Sequence, residues 1–340
     1  MMKTVVIFGA TGKVGAYTAV ELSKEYKVIA VGRRKDDNGF FDDYDIDYYS
    51  VDITKKSDFD KLPRKNVYAV IHAAGAMPSN MNGYHPHVYI DTELHGTLNI
   101  LEYMATANIG RIVFTCNSNN SLYNLGKTPV PPDIQKEFPL NNDHSIFAIC
   151  KNTAADIIEH FYFKHDIKRF ILRLYNMYGY HPNPYYYVEG KKGLSATVRI
   201  IERAKRGMDI EIWGDPSKAK EAVYIYDCIS IIKGALEAQH DGGVYNVGGI
   251  APVTLEEQIS AITEVFCPPN KPSKIIYCPE KPGNREFAAD IKKTRRELKY
   301  TPQWDLIRLY QDLKNKMEIE YLSKLWGTFK DYEDSSISMV

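Results

Sequence analysis

The chain has 340 residues, 44% of them apolar and 25% charged, enough for one large domain or two closely joined ones with an ample core. Lysine plus arginine and aspartate plus glutamate both number 43, so the net charge is zero and gives no electrostatic case for nucleic acid or an anionic membrane surface. Five cysteines without metal-ligand spacing, an N-terminus that runs straight into a strand pattern and no apolar run long enough to span a bilayer predict a reduced, cytoplasmic, globular protein with no metal and no membrane association.

From Thr4 onward, β-branched runs alternate with helical patterns. Strands are predicted at 4–9 (TVVIFG), 27–32 (KVIAVG), 68–74 (YAVIHAA), 111–116 (RIVFTC) and 169–175 (RFILRLY), with another ending near Asp52. Helices are predicted at about 13–24, 87–107 and 146–165; in the last, Ala154, Ile157, Ile158 and Phe161 share one face at the 3.6-residue period. Strands that are apolar throughout and separated by helices imply an α/β fold, a doubly wound parallel sheet of Rossmann type covered on both faces. After Asn176 the texture changes to YGYHPNPYYYVEGKKG, followed by a helix near 194–206, a strand at 209–213 and helices around 227–238 and 254–266. The expected organisation is a first domain over 1–175 to which residues about 222–250 return. A smaller C-terminal α/β lobe follows from 176–221 and 251–320, and then a tail over 321–340 whose last stretch, FKDYEDSSISMV, is polar and expected to fray.

The stretch VVIFGATGKVGAYTAVEL puts Gly9, Gly12 and Gly15 directly after a strand and at the opening of a helix. Such a turn needs positive φ, close approach of backbone to a pyrophosphate, and the free N–H groups of a helix N-terminus. Strand, loop and helix in that order predict a dinucleotide site, with Thr11, Lys13 and Val14 in the same loop. At the end of the second strand an acidic residue would favour NAD by binding the ribose hydroxyls. Here VGRRK supplies Arg33 and Arg34 instead, which suit a ribose 2′-phosphate, so NADP(H) is favoured with NAD(H) as the alternative. The bland reading is a solvated arginine pair. Asp52, with Ile53 beside it, would face the adenine. His72 reads as structural, Cys116 and Cys150 as small apolar residues, and His85 and His87 lack a third ligand at useful spacing.

The motifs GATGKVG, VD at 51–52, IHAAG at 71–75, RLYNMYG at 173–179, WGDPSKAKEAVYIYDC at 213–228, GVYNVGG at 243–249 and KPGNREFAADIKKTRRELKYTPQW at 281–304 resemble, in serial order, the extended short-chain dehydrogenase/reductases. The similarity is to their sugar-nucleotide epimerase/dehydratase branch and covers roughly residues 3 to 315. It implies that Gly9, Gly12 and Gly15 hold the pyrophosphate and that Ala73 and Ala74 line the adenosine side, with Gly75 also a cofactor-binding residue. Lys151 would bond the nicotinamide ribose. Asn176, Lys220 and Arg285 would lie along a sugar-nucleotide substrate's phosphates, Lys220 replacing a customary arginine. The helices around 87–107 and 146–165 would pair two copies into a homodimer.

The chain departs from this pattern at the chemistry. In SIFAICKNT, Phe147 stands four residues before Lys151, where the family carries the tyrosine that exchanges the substrate's hydroxyl proton. The family's serine or threonine meets TCNSNNSLY, where one alignment gives Asn117 and another Asn119, leaving Ser118 as the nearest hydroxyl. Glu93 stands where the family often has asparagine. Phenylalanine has no exchangeable proton, and losing positioned acid–base catalysis costs about 10²–10⁴-fold. Three explanations stay open. The tyrosine was replaced by design, or another group such as Ser118, Tyr123, His144 or a water carries the proton, or the protein binds cofactor and nucleotide sugar without turnover. The expected activity is epimerisation, dehydration or reduction of a nucleotide sugar through a keto intermediate, with a catalytically silent binding protein as the alternative.

Overall fold

A computed structural model describes residues 2–117, 129–141, 144–188, 190–283, 286–334 and 337. Its centre is a sheet of seven parallel strands: β1 (Thr4–Phe8), β2 (Lys27–Gly32), β3 (Asp47–Ser50), β4 (Val67–His72), β5 (Arg111–Asn117), β6 (Lys168–Leu174) and a last strand, Gly242–Val247. They lie in the order last strand–β6–β5–β4–β1–β2–β3. The winding reverses between β1 and β4. In an open parallel sheet the crevice at the carboxyl ends of those two strands is where a ligand is received.

The central strands β1, β2 and β4 are almost wholly apolar because both faces are covered. Val5, Ile7, Val28, Ala30, Ala69 and Ile71 point to one core, which α1 (Lys13–Leu22) fills with Ala16, Tyr17 and Val20. Their neighbours Val6, Phe8, Ile29, Val31 and Val70 point to the other. The expected helix over 87–107 closes that second core, but not as one regular helix. It runs as α2 (Pro86–Tyr89), a π-helical stretch Ile90–His95, and α3 (Gly96–Thr106), which buries Ile100, Leu101 and Met104. A single wide turn only shifts the phase of the hydrophobic pattern, which a run this short does not reveal, so the pattern reads as uninterrupted. Beside it, α4 (His144–His165) buries Ala154, Ile158 and Phe161.

The remaining helices are α5 (Ala196–Lys205), α6 (Ile225–Glu237), α7 (Leu255–Phe266), α8 (Lys292–Glu297), α9 (Leu306–Glu318) and α10 (Ser323–Trp326). α6 packs on the first core through Ile225, Ile229 and Ile232 and leads into the last strand. α7 starts with a reciprocal cap in which Thr254 and Glu257 bond each other's backbone N–H. A parallel pair, Ile210–Trp213 with Ile275–Cys278, sits apart from the main sheet.

The tail is held to the body of the protein where it begins. Leu322, Leu325 and Trp326 are buried, the Trp326 Nε1–H donates to the Thr11 carbonyl at 2.9 Å, and Lys324 pairs with Asp43 at 2.9 Å. Residues 329–332 add a 3-10 turn capped by Thr328 and Asp331. The polar composition of the last twelve residues hides the three apolar side chains just before them, and these anchor the segment.

Asp227, in the first turn of α6, is fully buried and accepts a hydrogen bond from the Gln303 amide at 2.9 Å. Burial pushes its carboxyl up to about 6. Between the ordinary carboxyl value and about 6 the folded chain keeps a proton that the unfolded chain has released, so this group's contribution to stability declines as pH rises through that window. Thermal melts of the parent and Asp227→Asn between pH 4 and 7 should therefore show the variant gaining a few degrees relative to the parent on going up in pH. A constant difference would mean that the carboxyl does not titrate there.

Candidate active site

The crevice at the sheet reversal is floored by the glycine loop. Gly9 ends β1 with φ +82°, and a Cβ there would lie 2.5 Å from the Ala74 amide nitrogen and 2.7 Å from the Ala73 carbonyl oxygen. A Cβ on Gly15 would stand 2.1 Å from the Gly9 carbonyl oxygen, so only glycine lets α1 pack onto the turn. Gly12 caps α1 in extended conformation with no side-chain cap, and no acidic residue lies in the helix's first turn. Among the described residues no side chain caps the start of α1, which fits a pyrophosphate. Lys13 opens the helix, and burial lowers its pKa from the usual lysine value. Val14 packs against the first core, and Thr11 gives its carbonyl to Trp326.

The end of β2 carries Arg33, exposed, and Arg34, whose guanidinium donates to the Leu325 carbonyl of α10. Asp52 uses its carboxylate locally, accepting from the Thr54 amide at 3.1 Å and the Thr54 hydroxyl at 2.8 Å. The Ile53 side chain is buried against Gly96, where a Cβ would approach it to 2.6 Å, and Asn99 holds the Ile53 carbonyl at 2.8 Å. Both residues therefore have a structural job at the β3 end.

The other side of the crevice is built by α4 and the irregular helix before β5. Phe147 is 1% exposed, its ring 5.9 Å from that of Tyr89. One turn further along α4, Lys151 Nζ lies 2.8 Å from Glu93 Oε2, with Glu93 fully buried. The other carboxylate oxygen of Glu93 accepts from the Ala76 amide at 2.8 Å. Lys151 also reaches the Thr115 carbonyl at 3.5 Å and sits 4.8 Å above the Phe114 ring. Gly75 makes this packing possible, since a Cβ there would lie 2.8 Å from Glu93 Oε1 and 3.0 Å from Lys151 Nζ. His72, below the pair, is buried with its pKa well below the ordinary histidine value, through desolvation first and then the nearby lysine. The Thr97 hydroxyl donates to the Glu93 carbonyl, so His72 Nε2, 2.9 Å from that hydroxyl, carries the hydrogen between them.

β5 delivers Asn117 to the carboxyl edge, where neither atom of its side-chain amide has a hydrogen-bond partner among the described residues. Cys116 is buried, its thiol pushed up by desolvation, and Cys150 is pushed up to about 11, by burial first and then by Glu93. Ser118, Tyr123 and Arg285 lie outside the described residues. Asn176 donates to the Glu221 carbonyl at 3.2 Å. Lys220, on the short strand Ala219–Lys220, is held below the usual lysine value by burial. Among the described residues no three histidine, cysteine or carboxylate side chains gather as a metal site, and no helix is long and apolar enough to cross a membrane.

The Glu93–Lys151 pair is the feature that sequence reading missed. Glu93 is visible there only as a departure, and nothing local says that its carboxylate meets Lys151. The available hint is spacing: Glu93 follows Tyr89 by four residues as Lys151 follows Phe147. Gly75→Ala should destabilise the fold by about 1–3 kcal/mol through overpacking. In a double-mutant cycle with Glu93→Ala most of that penalty should vanish; additive losses in denaturant melts would place the clash elsewhere.

The model of the NAD dependent epimerase/dehydratase family matches residues 5–248. UDP-glucuronate 4-epimerase of Thermodesulfobacterium geofontis is 25% identical over 263 residues, 75% of this chain and 74% of that one. A putative UDP-glucose 4-epimerase of Methanocaldococcus jannaschii is 25% identical over 307 residues, covering 89% and 94%. Among solved structures, UDP-glucose 4-epimerase of Thermotoga maritima with UDP-glucose superposes with a TM-score of 0.72 at 21% identity, covering 93% of this chain and 99% of that one. A tyrosine-to-phenylalanine mutant of UDP-glucuronic acid 4-epimerase from Bacillus cereus, with NAD and UDP-4-deoxy-4-fluoro-glucuronic acid, superposes with a TM-score of 0.73 at 20% identity, covering 94% and 100%. With the glycine loop seated at the reversal of a seven-stranded parallel sheet, and a family match over well more than half its length, this chain belongs to the NAD dependent epimerase/dehydratase family.

Proposed function

We propose that the protein binds a nicotinamide dinucleotide and a nucleotide-activated sugar, and epimerises the sugar through a transient keto intermediate using an acid–base group other than a phenol at 147. The observation that carries this reading is the glycine cradle at the sheet reversal with Lys151 across the crevice from it. The bound nicotinamide would supply a reversible hydride acceptor for the sugar carbon. Gly9, Gly12 and Gly15 would hold the pyrophosphate, Lys151 would orient the nicotinamide ribose with Gly75 beside it, and Ala73 and Ala74 would line the adenosine side. Asn176, Lys220 and Arg285 would meet the sugar nucleotide's phosphates. The hydroxyl proton would leave through Ser118, Tyr123 or a water.

For the cofactor, Arg33 and Arg34 argue for NADP(H). The engagement of Arg34 with the Leu325 carbonyl shifts the preference to NAD(H), and the structurally similar Bacillus cereus protein was solved with NAD. A homodimer through α3 and α4 is supported by the exposed Leu98, Ile149 and Phe163 on those helices. Silent binding is the second reading. It is favoured by Phe147 together with the pairing of Lys151 by a buried carboxylate.

The test is single-turnover absorbance of the reduced nicotinamide with a panel of UDP-sugars, comparing the parent with Phe147→Tyr. The parent should reduce its cofactor with at least one sugar. A phenol restored at 147 meets a lysine already neutralised by Glu93, so the gain should stay below about tenfold, against the 10²–10⁴ of positioned acid–base catalysis. The larger gain would mean an ordinary family pocket that has merely lost a hydroxyl. Silence in both proteins with cofactor bound would establish the binding-only reading.

A further inference from the structure

Two departures from the family pattern meet in space. Tyr89 and Glu93 on one helix face Phe147 and Lys151 on α4 in two layers, ring on ring at 5.9 Å and carboxylate on ammonium at 2.8 Å. In the family pattern the lysine's charge works on a phenol, which it makes more acidic. Here the phenol is gone and a carboxylate with no solvent exposure takes the lysine's charge instead. Among the neighbouring ionisable groups His72 is held neutral and the thiols of Cys116 and Cys150 are held protonated, while the buried Arg173, paired with Cys116 across the sheet, is a second cation. Glu93 is fixed by the Ala76 amide, by the clearance at Gly75 and by the π-helical stretch that carries it.

We propose that Glu93 is the permanent counter-ion of Lys151 and, by cancelling its charge, sets which oxidation state of the nicotinamide the pocket prefers. This rests on the reading above that Lys151 lies on the nicotinamide side of the crevice. The oxidised ring carries a positive charge and the reduced ring carries none, so a bare ammonium beside it disfavours the oxidised form. A carboxylate 2.8 Å from the ammonium turns that monopole into a short dipole whose field falls off faster. Glu93 is thus a positioning and charge-setting residue, acting through Lys151 rather than on the substrate.

Affinities for NAD⁺ and NADH, each measured by calorimetry on the full chain, give the readout as a ratio. Glu93→Gln should lower the preference for NAD⁺ over NADH by about tenfold or more, the size expected for one uncompensated charge within several ångströms at an effective dielectric constant near 20. Lys151→Met should move the ratio the opposite way, and the double variant should return to within about threefold of the parent. A purely structural role for Glu93 would weaken both cofactor forms alike and leave the ratio where it was, and that result would overturn the inference while leaving the proposed function standing. Should Glu93→Gln fail to fold, Lys151→Met alone decides, because an unchanged ratio there is equally fatal. Failure of the parent to bind either form would overturn both this inference and the proposed function.

Discussion

The close approach of Gly9 to the chain at Ala73 and Ala74 is the constraint from which the rest of the molecule follows. At that point β1 and β4 leave the sheet side by side with the winding reversed, and the backbones come nearer than any side chain would allow. Gly15 repeats the condition one helical turn later, bringing α1 down on the same turn. Together they aim the amide groups of a helix start into the crevice, and β4 carries the chain on to Gly75. There a third absence of side chain admits Glu93 and Lys151. Three clearances, each at glycine, thus connect the phosphate end of the site to its chemical end.

At the chemical end the pocket pairs its buried lysine with a buried carboxylate. Burying an ammonium or a carboxylate alone is costly, and removing one member of a buried pair leaves the other stranded. Lys151 and Glu93 avoid this by lying against each other, while His72, Cys116 and Cys150 are driven by desolvation to their neutral forms. The loss of the phenol at 147 and the gain of a carboxylate at 93 therefore form a consistent whole. An uncompensated lysine beside an apolar phenylalanine ring would have been the expensive alternative.

Much of the fold was legible in the sequence because it rests on local signals. The runs of β1, β2 and β4 are apolar on both faces, the glycines fall where φ and clearance demand them, and α1 and α4 begin and end within a few residues of their patterns. What could not be read depends on long-range partners. The π-helical stretch at Ile90–His95 has no periodic signature, and the partnership of Glu93 with Lys151 spans two helices. The docking of Trp326 on Thr11 joins residues near opposite ends of the chain. Arg34 shows the same limit: its charge at the end of β2 suggests a phosphate ligand, yet the fold supplies it with a backbone carbonyl.

The wide turn at Ile90–His95 also bears on how such a pocket can change over evolutionary time. The face that α3 presents to the sheet is set by Ile100, Leu101 and Met104, which pack against β-strand side chains. Each residue of helix turns the chain by about 100°. A deletion within the stretch would leave α3 seated and swing Tyr89 and its neighbours round the axis, away from Phe147. Lineages carrying this architecture can therefore exchange one side chain for another along the stretch, but insertions and deletions there should be purged.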